Sequence, residues 1–343
     1  MQLIKDNHHS VNLDLFEKKQ RYYKKFKDHY DIIYITSLFT YQAQFVIESI
    51  KYYQGRFPNA RIRLGGIMAT LIPEYVKEKT GIEPHVGLLR GAENCSPDYS
   101  WFPNLSYSLT FASRGCPRTC PFCGVRKHEP KFFAKENWIE DIDITKRRII
   151  FWDNNWLASP NFEKDVKRLM KFRKIGITQI DFNQGLDCRY LDEEKIKLLS
   201  QIKINPLRLA FDNGSEDGHI QKAIELAQKY GFKDISVYVL YNFEDDKDTP
   251  EYFYYRINEI NKLGALAYPM RYRPLNSASS SAQYRSDKWD DKLLRALKLS
   301  LMFYYTKGMI TKKREAFIDI YGNNDQEFKD KLYKIYENDK LRK

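Results

Sequence analysis

The sequence lacks the features that would assign it to several whole classes of protein. It contains no apolar run long enough to span a bilayer, which excludes a predicted transmembrane helix. Its first residues, MQLIKDNHHSVNLDLF, lack the apolar core of a signal peptide. It shows no internal repeat and no low-complexity tract. We therefore expect a cytoplasmic protein that does not contact a membrane.

Cysteine is scarce, with five residues in a chain of 343. The number is odd, and three of the five lie within one short segment, so the pattern favours a reducing compartment over a disulfide framework. No cysteine follows Cys188, and only Cys95 and Cys188 lie outside the segment. The sequence therefore predicts one ligand cluster and excludes a second cluster that needs three further thiols.

That segment is RGCPRTCPFCGV, which places Cys116, Cys120 and Cys123 at the spacing C-x3-C-x2-C. The glycines and prolines between them disfavour a regular helix or strand and favour a tight loop. Three thiolates are one short of the usual set for an iron–sulfur cluster. The simplest consequence is a four-iron cluster with one iron open to another ligand. The alternative is a zinc site with His128 as its fourth ligand.

This spacing, with Phe122 directly before the third cysteine, resembles the signature of the radical S-adenosylmethionine (radical SAM) superfamily. The resemblance implies a [4Fe-4S] cluster on the three cysteines, with its open iron chelated by the amino and carboxyl groups of SAM. Reductive cleavage of SAM would then give a 5′-deoxyadenosyl radical that abstracts hydrogen from a substrate. An electron donor such as flavodoxin or ferredoxin is implied as well.

The chain from residue 107 alternates strand-like and helical segments, which is typical of a parallel sheet. The predicted strands are 107–113, 147–158, 178–190, 206–214, 234–243 and 265–276. The predicted helices are 161–176, 191–203, 219–231 and 249–264, with Asn161 and Asp192 as caps of the first two. The resemblance, which covers roughly residues 105–285, implies an α/β fold with a partial (β/α)6 TIM-like barrel. Residues 286–343 are predicted to form a C-terminal helical segment.

The N-terminal part, residues 1–104, is predicted to hold a small βαβ unit and a linker. Its strands are 31–40 and 60–70, and the second runs through Gly65 and Gly66. The unit resembles a shortened, Rossmann-like cobalamin-binding domain, although no D-x-H-x-x-G motif is present. We favour a packing domain here. A cobalamin-dependent radical SAM methyltransferase is the alternative.

Polar residues follow several predicted strands, where parallel barrels carry their functional groups. By resemblance, Asp153–Asn155 hold the amino group of SAM, and Asp212 or Asn213 binds its ribose. Arg189 is predicted to pair with the SAM carboxylate or, alternatively, with Asp187. The predicted cofactor-binding residues are Phe122, Asp153, Asn154, Asn155, Asn183, Asp187, Arg189, Asp212, Asn213, Val239, Met270, Arg271 and Tyr272.

Gln184, Asp181 and Tyr241 are the predicted substrate-side residues. Cys188 is predicted either to donate a hydrogen atom or to be a buried apolar residue. The substrate itself is not identified by the sequence.

The formal net charge is +12, from 57 Lys and Arg against 45 Asp and Glu. A field of that sign attracts nucleotides and nucleic acids. Because the basic residues are spread along the chain, solvated helix faces are the competing interpretation. The net charge therefore leaves a third hypothesis for function, a non-catalytic nucleic-acid-binding protein held together by a metal site.

Overall fold

The computed structural model describes residues 16–17, 20–21, 29–92, 95–278, 284–303 and 308–341. The fold is α/β. Its strands are β1 (Phe16–Glu17), β2 (Gln20–Arg21), β3 (Ile32–Ser37), β4 (Arg61–Gly66), β5 (Tyr107–Thr110), β6 (Ser113–Arg114), β7 (Phe133–Ala134), β8 (Arg148–Phe151), β9 (Gln179–Phe182), β10 (Leu207–Ala210), β11 (Ile235–Tyr241) and β12 (Leu266–Arg271). Its helices are α1 (Ala43–Arg56), α2 (Ile67–Leu71), α3 (Pro73–Thr80), α4 (Val125–His128), α5 (Phe162–Lys174), α6 (Glu193–Leu199), α7 (His219–Lys229), α8 (Pro250–Lys262), α9 (Asp291–Phe303), α10 (Arg314–Tyr321) and α11 (Asp325–Leu341).

The chain divides into two compact units. The first, which we call the cysteine unit, comprises Met1–Leu105, Arg114–Asp141 and Arg273–Tyr284. The second, the strand unit, comprises Ser106–Ser113, Ile142–Tyr272 and Arg285–Lys343. The segment that carries the three cysteines is thus grouped with the N-terminal residues. The domain boundaries 1–104, 105–285 and 286–343 stay a prediction.

The cysteine unit contains the predicted βαβ arrangement. β3 and β4 pair in parallel, from Ile32 opposite Arg61 to Ser37 opposite Gly66. The core of this unit buries Ala43 and Ile50 of α1 together with Leu64 and Met68. The strand predicted over 60–70 ends early, because α2 begins at Ile67. Among the described residues this sheet has two strands.

The strand unit contains two parallel sheets, β5-β8-β9 and β10-β11-β12. Parallel bridges at Ile180–Ile204 and Leu186–Leu209 connect the two sheets. The strands therefore follow one another in chain order, and this order fits a partial TIM-like barrel. Leu207 and Leu209 are fully buried whereas Arg208 is half-buried, so successive side chains lie on faces of different exposure.

Helices α5, α6, α7 and α8 follow β8, β9, β10 and β11 in turn, as the sequence predicts. The step between β5 and β8 differs, because its helix is the single turn Val125–His128. Helices α9–α11 lie in the predicted C-terminal helical segment, where Phe317, Tyr321 and Phe328 pack their rings together. No helix within the described part of the chain combines the length and the apolar character needed to cross a membrane.

Candidate functional site

The three clustered cysteines lie in an irregular loop, as predicted. Residues 116–124 form neither helix nor strand, Cys116 and Cys120 are half-buried, and Cys123 is exposed. The backbone N–H of Cys123 donates to the carbonyl of Cys120 at 3.1 Å, which closes a turn. The N–H of Arg118 donates to Sγ of Cys116 at 3.4 Å. All five cysteines of the chain are described, and no disulfide joins them.

The base of this loop is fixed by the buried carboxylate of Glu129. Its Oε2 accepts the N–H of Gly115 at 2.6 Å, and its Oε1 accepts a guanidinium N–H of Arg114 at 2.5 Å. Gly115 has φ of +72°, and a Cβ there would lie 2.2 Å from the carbonyl oxygen of Lys131. The residues just before and just after the cysteines are therefore held together. We call this set of contacts the Glu129 clasp.

The chemistry of the donor set fits an iron–sulfur cluster, because cysteine thiolates are the ligands of its irons. No three His, Cys, Asp or Glu side chains of the described residues are arranged to hold one metal ion. A four-iron cluster binds each thiolate at a different iron, so its sulfurs do not converge on a point. Nδ1 of His128 instead lies 3.3 Å from the hydroxyl of Thr70, and burial lowers the pKa of this imidazole. The loop, which is held at its base, therefore carries the three thiols that the implied cluster would need as ligands.

Asp153 contacts the chain that leads into the loop. Its Oδ1 accepts the N–H and the hydroxyl of Ser113 at 2.5 and 2.6 Å, and its Oδ2 accepts the N–H of Ala112 at 3.0 Å. Burial raises the pKa of this carboxyl to about 7, while the hydrogen bonds oppose the rise. Both carboxylate oxygens are thus engaged by backbone. Beside it Asn154 is half-buried, and Nδ2 of Asn155 donates to Asp187 at 3.1 Å.

Arg189 forms the salt bridge that was the alternative to SAM binding. Its Nε and Nη2 donate to the two oxygens of Asp187 at 2.7 and 3.0 Å. Its Nη1 lies 2.6 Å from the hydroxyl of Ser215 and 2.8 Å from Glu216. Burial raises the pKa of Glu216. The guanidinium therefore joins two turns of the strand unit.

The residues predicted at the ribose have different surroundings. Asp212 is half-buried, its Oδ1 accepts the N–H of Leu240 at 3.0 Å, and desolvation raises its pKa to about 7. The side chain of Asn213 caps a short turn, accepting the N–H of Ser215 at 2.8 Å. The Asn213 N–H in turn donates to Glu216 at 2.8 Å, so these two residues form a reciprocal cap.

The remaining predicted cofactor-binding residues differ in exposure. The Val239 side chain is fully buried and Met270 is 44% exposed. Arg271 is half-buried. The N–H of Tyr272 donates to the carbonyl of Tyr241 at 2.8 Å, and its ring packs edge-on against Phe243. Phe122, in the cysteine unit, is half-buried.

The predicted substrate-side residues differ in their surroundings. Asp181 is buried in a bidentate pair with Arg208, at 2.7 and 3.0 Å. Gln184 is exposed. The residue before it, Asn183, was predicted to bind the cofactor, and its carbonyl accepts a hydrogen bond from the hydroxyl of Tyr238 at 2.8 Å. The structure places Tyr241 in the aromatic core, packed against Phe253 and Trp289.

Cys188 is a buried thiol, which was the second interpretation of this residue. Only 2% of it is exposed, and its Sγ lies 3.8 Å from the carbonyl of Ala210. Desolvation raises the pKa of the thiol to about 12.

The charged residues that the sequence analysis did not single out include the buried Glu129 and Arg256 and the half-buried Arg208. Arg208 had a signal, since it is a single cation inside the otherwise apolar strand PLRLAF. Glu129 had no such signal in the sequence, because its partners come next to it only when the loop has folded. Arg256 is fully buried and donates to the carbonyls of Phe211 and Asp212 and to the carboxylate of Asp248.

The glycine pair of the βαβ unit is explained by packing. A Cβ on Gly66 would lie 2.2 Å from the carbonyl oxygen of Ser37, and the Ser37 hydroxyl donates to the carbonyl of Gly65 at 2.8 Å. These contacts support the packing interpretation of the unit. Cobalamin binding stays the untested alternative to this interpretation.

No family model and no curated protein matches the chain. Some solved structures match in part. Coproporphyrinogen III oxidase (HemN) from Escherichia coli, described as a radical SAM enzyme, is 15% identical with a TM-score of 0.40, over 59% of this chain and 54% of that chain. The FeFe-hydrogenase maturase HydG from Carboxydothermus hydrogenoformans is 14% identical with a TM-score of 0.36, over 67% of this chain and 56% of that chain.

The chain spans about half the length of these solved structures. Because both TM-scores are low, we infer no activity or cofactor of this chain from them.

Proposed function

We propose that this chain is a radical SAM enzyme that cleaves SAM reductively and uses the resulting radical to abstract hydrogen from a substrate. The observation that carries the proposal is the cysteine loop. Cys116, Cys120 and Cys123 stand at C-x3-C-x2-C in an irregular segment, the first two half-buried and the third exposed, and the Glu129 clasp fixes its base. In this proposal the three thiolates hold one [4Fe-4S] cluster. When bound, the cluster supplies the electron that splits SAM.

The strand unit supplies the remaining groups in this proposal. Asn154, Asn183 and Asp212 follow strands and keep part of their surface accessible, so they are the proposed contacts for the polar groups of SAM. Asp153 and Arg189 are proposed as positioning residues, since their polar atoms already hold backbone and neighbouring carboxylates. Their removal would shift the turns that carry the contacting residues. An external one-electron donor, such as flavodoxin or ferredoxin, completes the scheme.

The test is anaerobic reconstitution with iron and sulfide, followed by dithionite and SAM, with 5′-deoxyadenosine as the measured product. We expect the wild-type chain to release it and Cys120→Ala to release none, because that variant lacks one cluster ligand. His128→Ala is the matched control, and it should retain product release. A fully loaded wild-type chain that forms no 5′-deoxyadenosine would contradict the proposal, as would a zinc ion lost on His128→Ala.

A further inference from the structure

Asn183 and Gln184 lie in a tight turn that follows β9 in the strand unit. The N–H of Gly185 closes this turn by donating to the carbonyl of Phe182 at 2.9 Å. Gly185 has φ of +86°, a conformation that glycine adopts without strain. We call residues 182–185 the Asn183 turn.

A tyrosine from two strands away contacts the Asn183 turn. Tyr238 lies on β11 and is half-buried, and its hydroxyl donates to the carbonyl of Asn183 at 2.8 Å. A Cβ on Gly185 would lie 3.3 Å from Cδ2 of the Tyr238 ring. Because β10 lies between β9 and β11, the phenol ties together strands that are not neighbours.

The Tyr238 side chain is itself held by its neighbours. Its ring packs edge-on against Tyr268 of β12, with the ring centroids 5.5 Å apart. The guanidinium of Arg208, which is paired with Asp181, lies close enough to oppose the rise that burial causes in the pKa of the Tyr238 hydroxyl. The raised pKa keeps the hydroxyl protonated at neutral pH, so it can donate a hydrogen bond to the turn.

Both backbone polar groups of Asn183 are occupied. Its N–H donates to the carbonyl of Phe151 at 3.0 Å, and its carbonyl accepts the hydroxyl of Tyr238. The residue is half-buried, and within the part of the chain that the structure describes its side-chain amide has no hydrogen-bond partner. The amide is therefore the group of Asn183 that can bind a ligand, and the backbone bonds set its position.

We propose that Tyr238 is a positioning residue, which holds the Asn183 turn in the orientation that lets the Asn183 amide bind a polar group of SAM. This rests on the proposed function, in which Asn183 contacts SAM. Without the hydroxyl, only a fraction of the molecules would have the turn in the binding orientation, and apparent affinity falls by that fraction. The loss of one neutral hydrogen bond shifts such an equilibrium about fivefold.

The test compares Tyr238→Phe, which removes only the hydroxyl, with Tyr268→Phe as the matched control. Tyr268 lies opposite Tyr238 in the β11–β12 register, and among the described residues its hydroxyl makes no hydrogen bond. In the reconstituted chain we expect Tyr238→Phe to raise the KM for SAM about fivefold. Release of 5′-deoxyadenosine at saturating SAM should be retained, because the bond acts on binding and not on the chemical step. Tyr268→Phe should change neither quantity.

Hydrogen exchange provides a readout that needs neither the cluster nor SAM. In the cluster-free full chain, mass spectrometry of the peptide covering 182–186 should show faster exchange in Tyr238→Phe, because the turn opens more often. Tyr268→Phe should exchange as wild type does. Equal exchange in Tyr238→Phe and wild type would overturn the proposal, since the hydroxyl would then not hold the turn.

A double-mutant cycle tests whether Tyr238 acts through Asn183. Equilibrium dialysis measures SAM binding to the reconstituted chain. Asn183→Ala alone should weaken binding, and Tyr238→Phe added to it should cause little further loss. Additive losses would overturn the proposal, because Tyr238 would then act by another route. So would a Tyr238→Phe variant that melts at lower temperature but keeps the wild-type KM, since its bond would then be structural only.

Release of 5′-deoxyadenosine by the wild-type chain is measured separately. A wild-type chain that cleaves SAM, together with an unchanged KM in Tyr238→Phe, refutes only the positioning role. A fully loaded wild-type chain that releases no product refutes the proposed activity, and with it the role that rests on it.

Discussion

At the residue scale, Gly115 shows why the cysteine loop begins where it does. Its φ of +72° is a backbone conformation that glycine adopts without strain. The carbonyl of Lys131 also occupies the space that a Cβ would need. We expect Gly115→Ala to lower the free energy of unfolding by more than about 3 kcal/mol, since steric overlap adds to the backbone strain. Urea denaturation of the cluster-free chain measures this.

Gly91→Ala is the matched control for that substitution. Gly91 has φ of +82°, but nothing lies within 4 Å of a Cβ placed there. Its alanine variant carries the strain of a left-handed residue alone, about 1 kcal/mol. If the two variants lose equal stability, the contact with Lys131 is not what requires glycine at 115.

A buried carboxyl gives the second residue-scale prediction, which concerns pH. The pKa of Asp153 is raised from 3.8 to about 7, so the folded chain binds more protons than the unfolded chain between these values. Stability contributed by this group is therefore present at low pH and falls as pH rises to about 7. One pKa unit corresponds to about 1.4 kcal/mol, which sets a ceiling of about 4 kcal/mol on the loss.

Asp153→Asn isolates this effect, because asparagine has the shape of the neutral acid and does not titrate. We expect the stability of wild type relative to Asp153→Asn to be greatest near pH 4 to 5 and to shrink towards pH 7 to 8. Thermal unfolding of both cluster-free chains across this range measures the difference. A difference that grows with pH would show that the hydrogen bonds from Ala112 and Ser113 outweigh desolvation.

The sequence predicted local backbone conformation better than it predicted the contacts of single side chains. The cysteine loop follows from spacing and from its glycines and prolines, and the structure has it as an irregular segment. Arg189 and Asn213 show the opposite case. A polar residue after a strand has the same pattern whether it caps a turn, pairs with a neighbour or binds a ligand. In the structure Arg189 pairs with a neighbour and Asn213 caps a turn.

At the element scale, hydrophobic alternation predicted the type and order of the strands but not all of their ends. β4 pairs with β3 up to Gly66 opposite Ser37, and α2 begins at the next residue, a boundary that the local sequence pattern did not indicate. Asp192 caps α6 as predicted, its side chain accepting the N–H of Lys195 at 2.8 Å. Asn161 occupies the predicted N-cap position of α5, but its side chain makes no capping hydrogen bond there.

Arg256 on helix α8 binds residues elsewhere in the strand unit. This contact gives a prediction at the scale of elements. The guanidinium is fully buried, and Asp248 beside it is buried too. Arg256→Met leaves that carboxylate without its cation, so we expect a loss of about 3–5 kcal/mol in the free energy of unfolding. Denaturant unfolding of the single variant measures it.

Two further variants decide what that loss means. Arg295→Met breaks a half-exposed pair with Asp339 on another helix and should cost no more than about 1 kcal/mol. Adding Asp248→Asn to Arg256→Met should return part of the loss, because the unpaired charge is then absent. No recovery in the double variant would assign the cost to the lost carbonyl contacts with Phe211 and Asp212.

At the scale of the whole molecule, the alternation of strands and helices anticipated the chain-order arrangement of the parallel strands. It did not anticipate the composition of the two units. Residues 273–284 are grouped with the cysteine segment, and Leu275 and Leu71 both lie within 3.5 Å of the position that a Cβ on Gly124 would take. These three residues are far apart in the sequence, so only the folded chain shows that they are neighbours.

The distribution of cysteine over the whole chain leads to the last prediction. Two cysteines lie outside the cysteine loop. Cys188 is buried and the pKa of its thiol is raised, and the half-buried Cys95 donates through Sγ to the carbonyl of Gly91 at 3.5 Å. A thiolate is the form that binds iron. We therefore expect Cys95→Ala and Cys188→Ala to bind the same iron as wild type after reconstitution, equal to one four-iron cluster, measured by iron and sulfide analysis. Cys116→Ala and Cys123→Ala should bind much less.

If Cys188→Ala lowered iron content while its far-ultraviolet circular dichroism matched wild type, a second metal-binding group would exist outside the loop and the single-cluster proposal would be wrong.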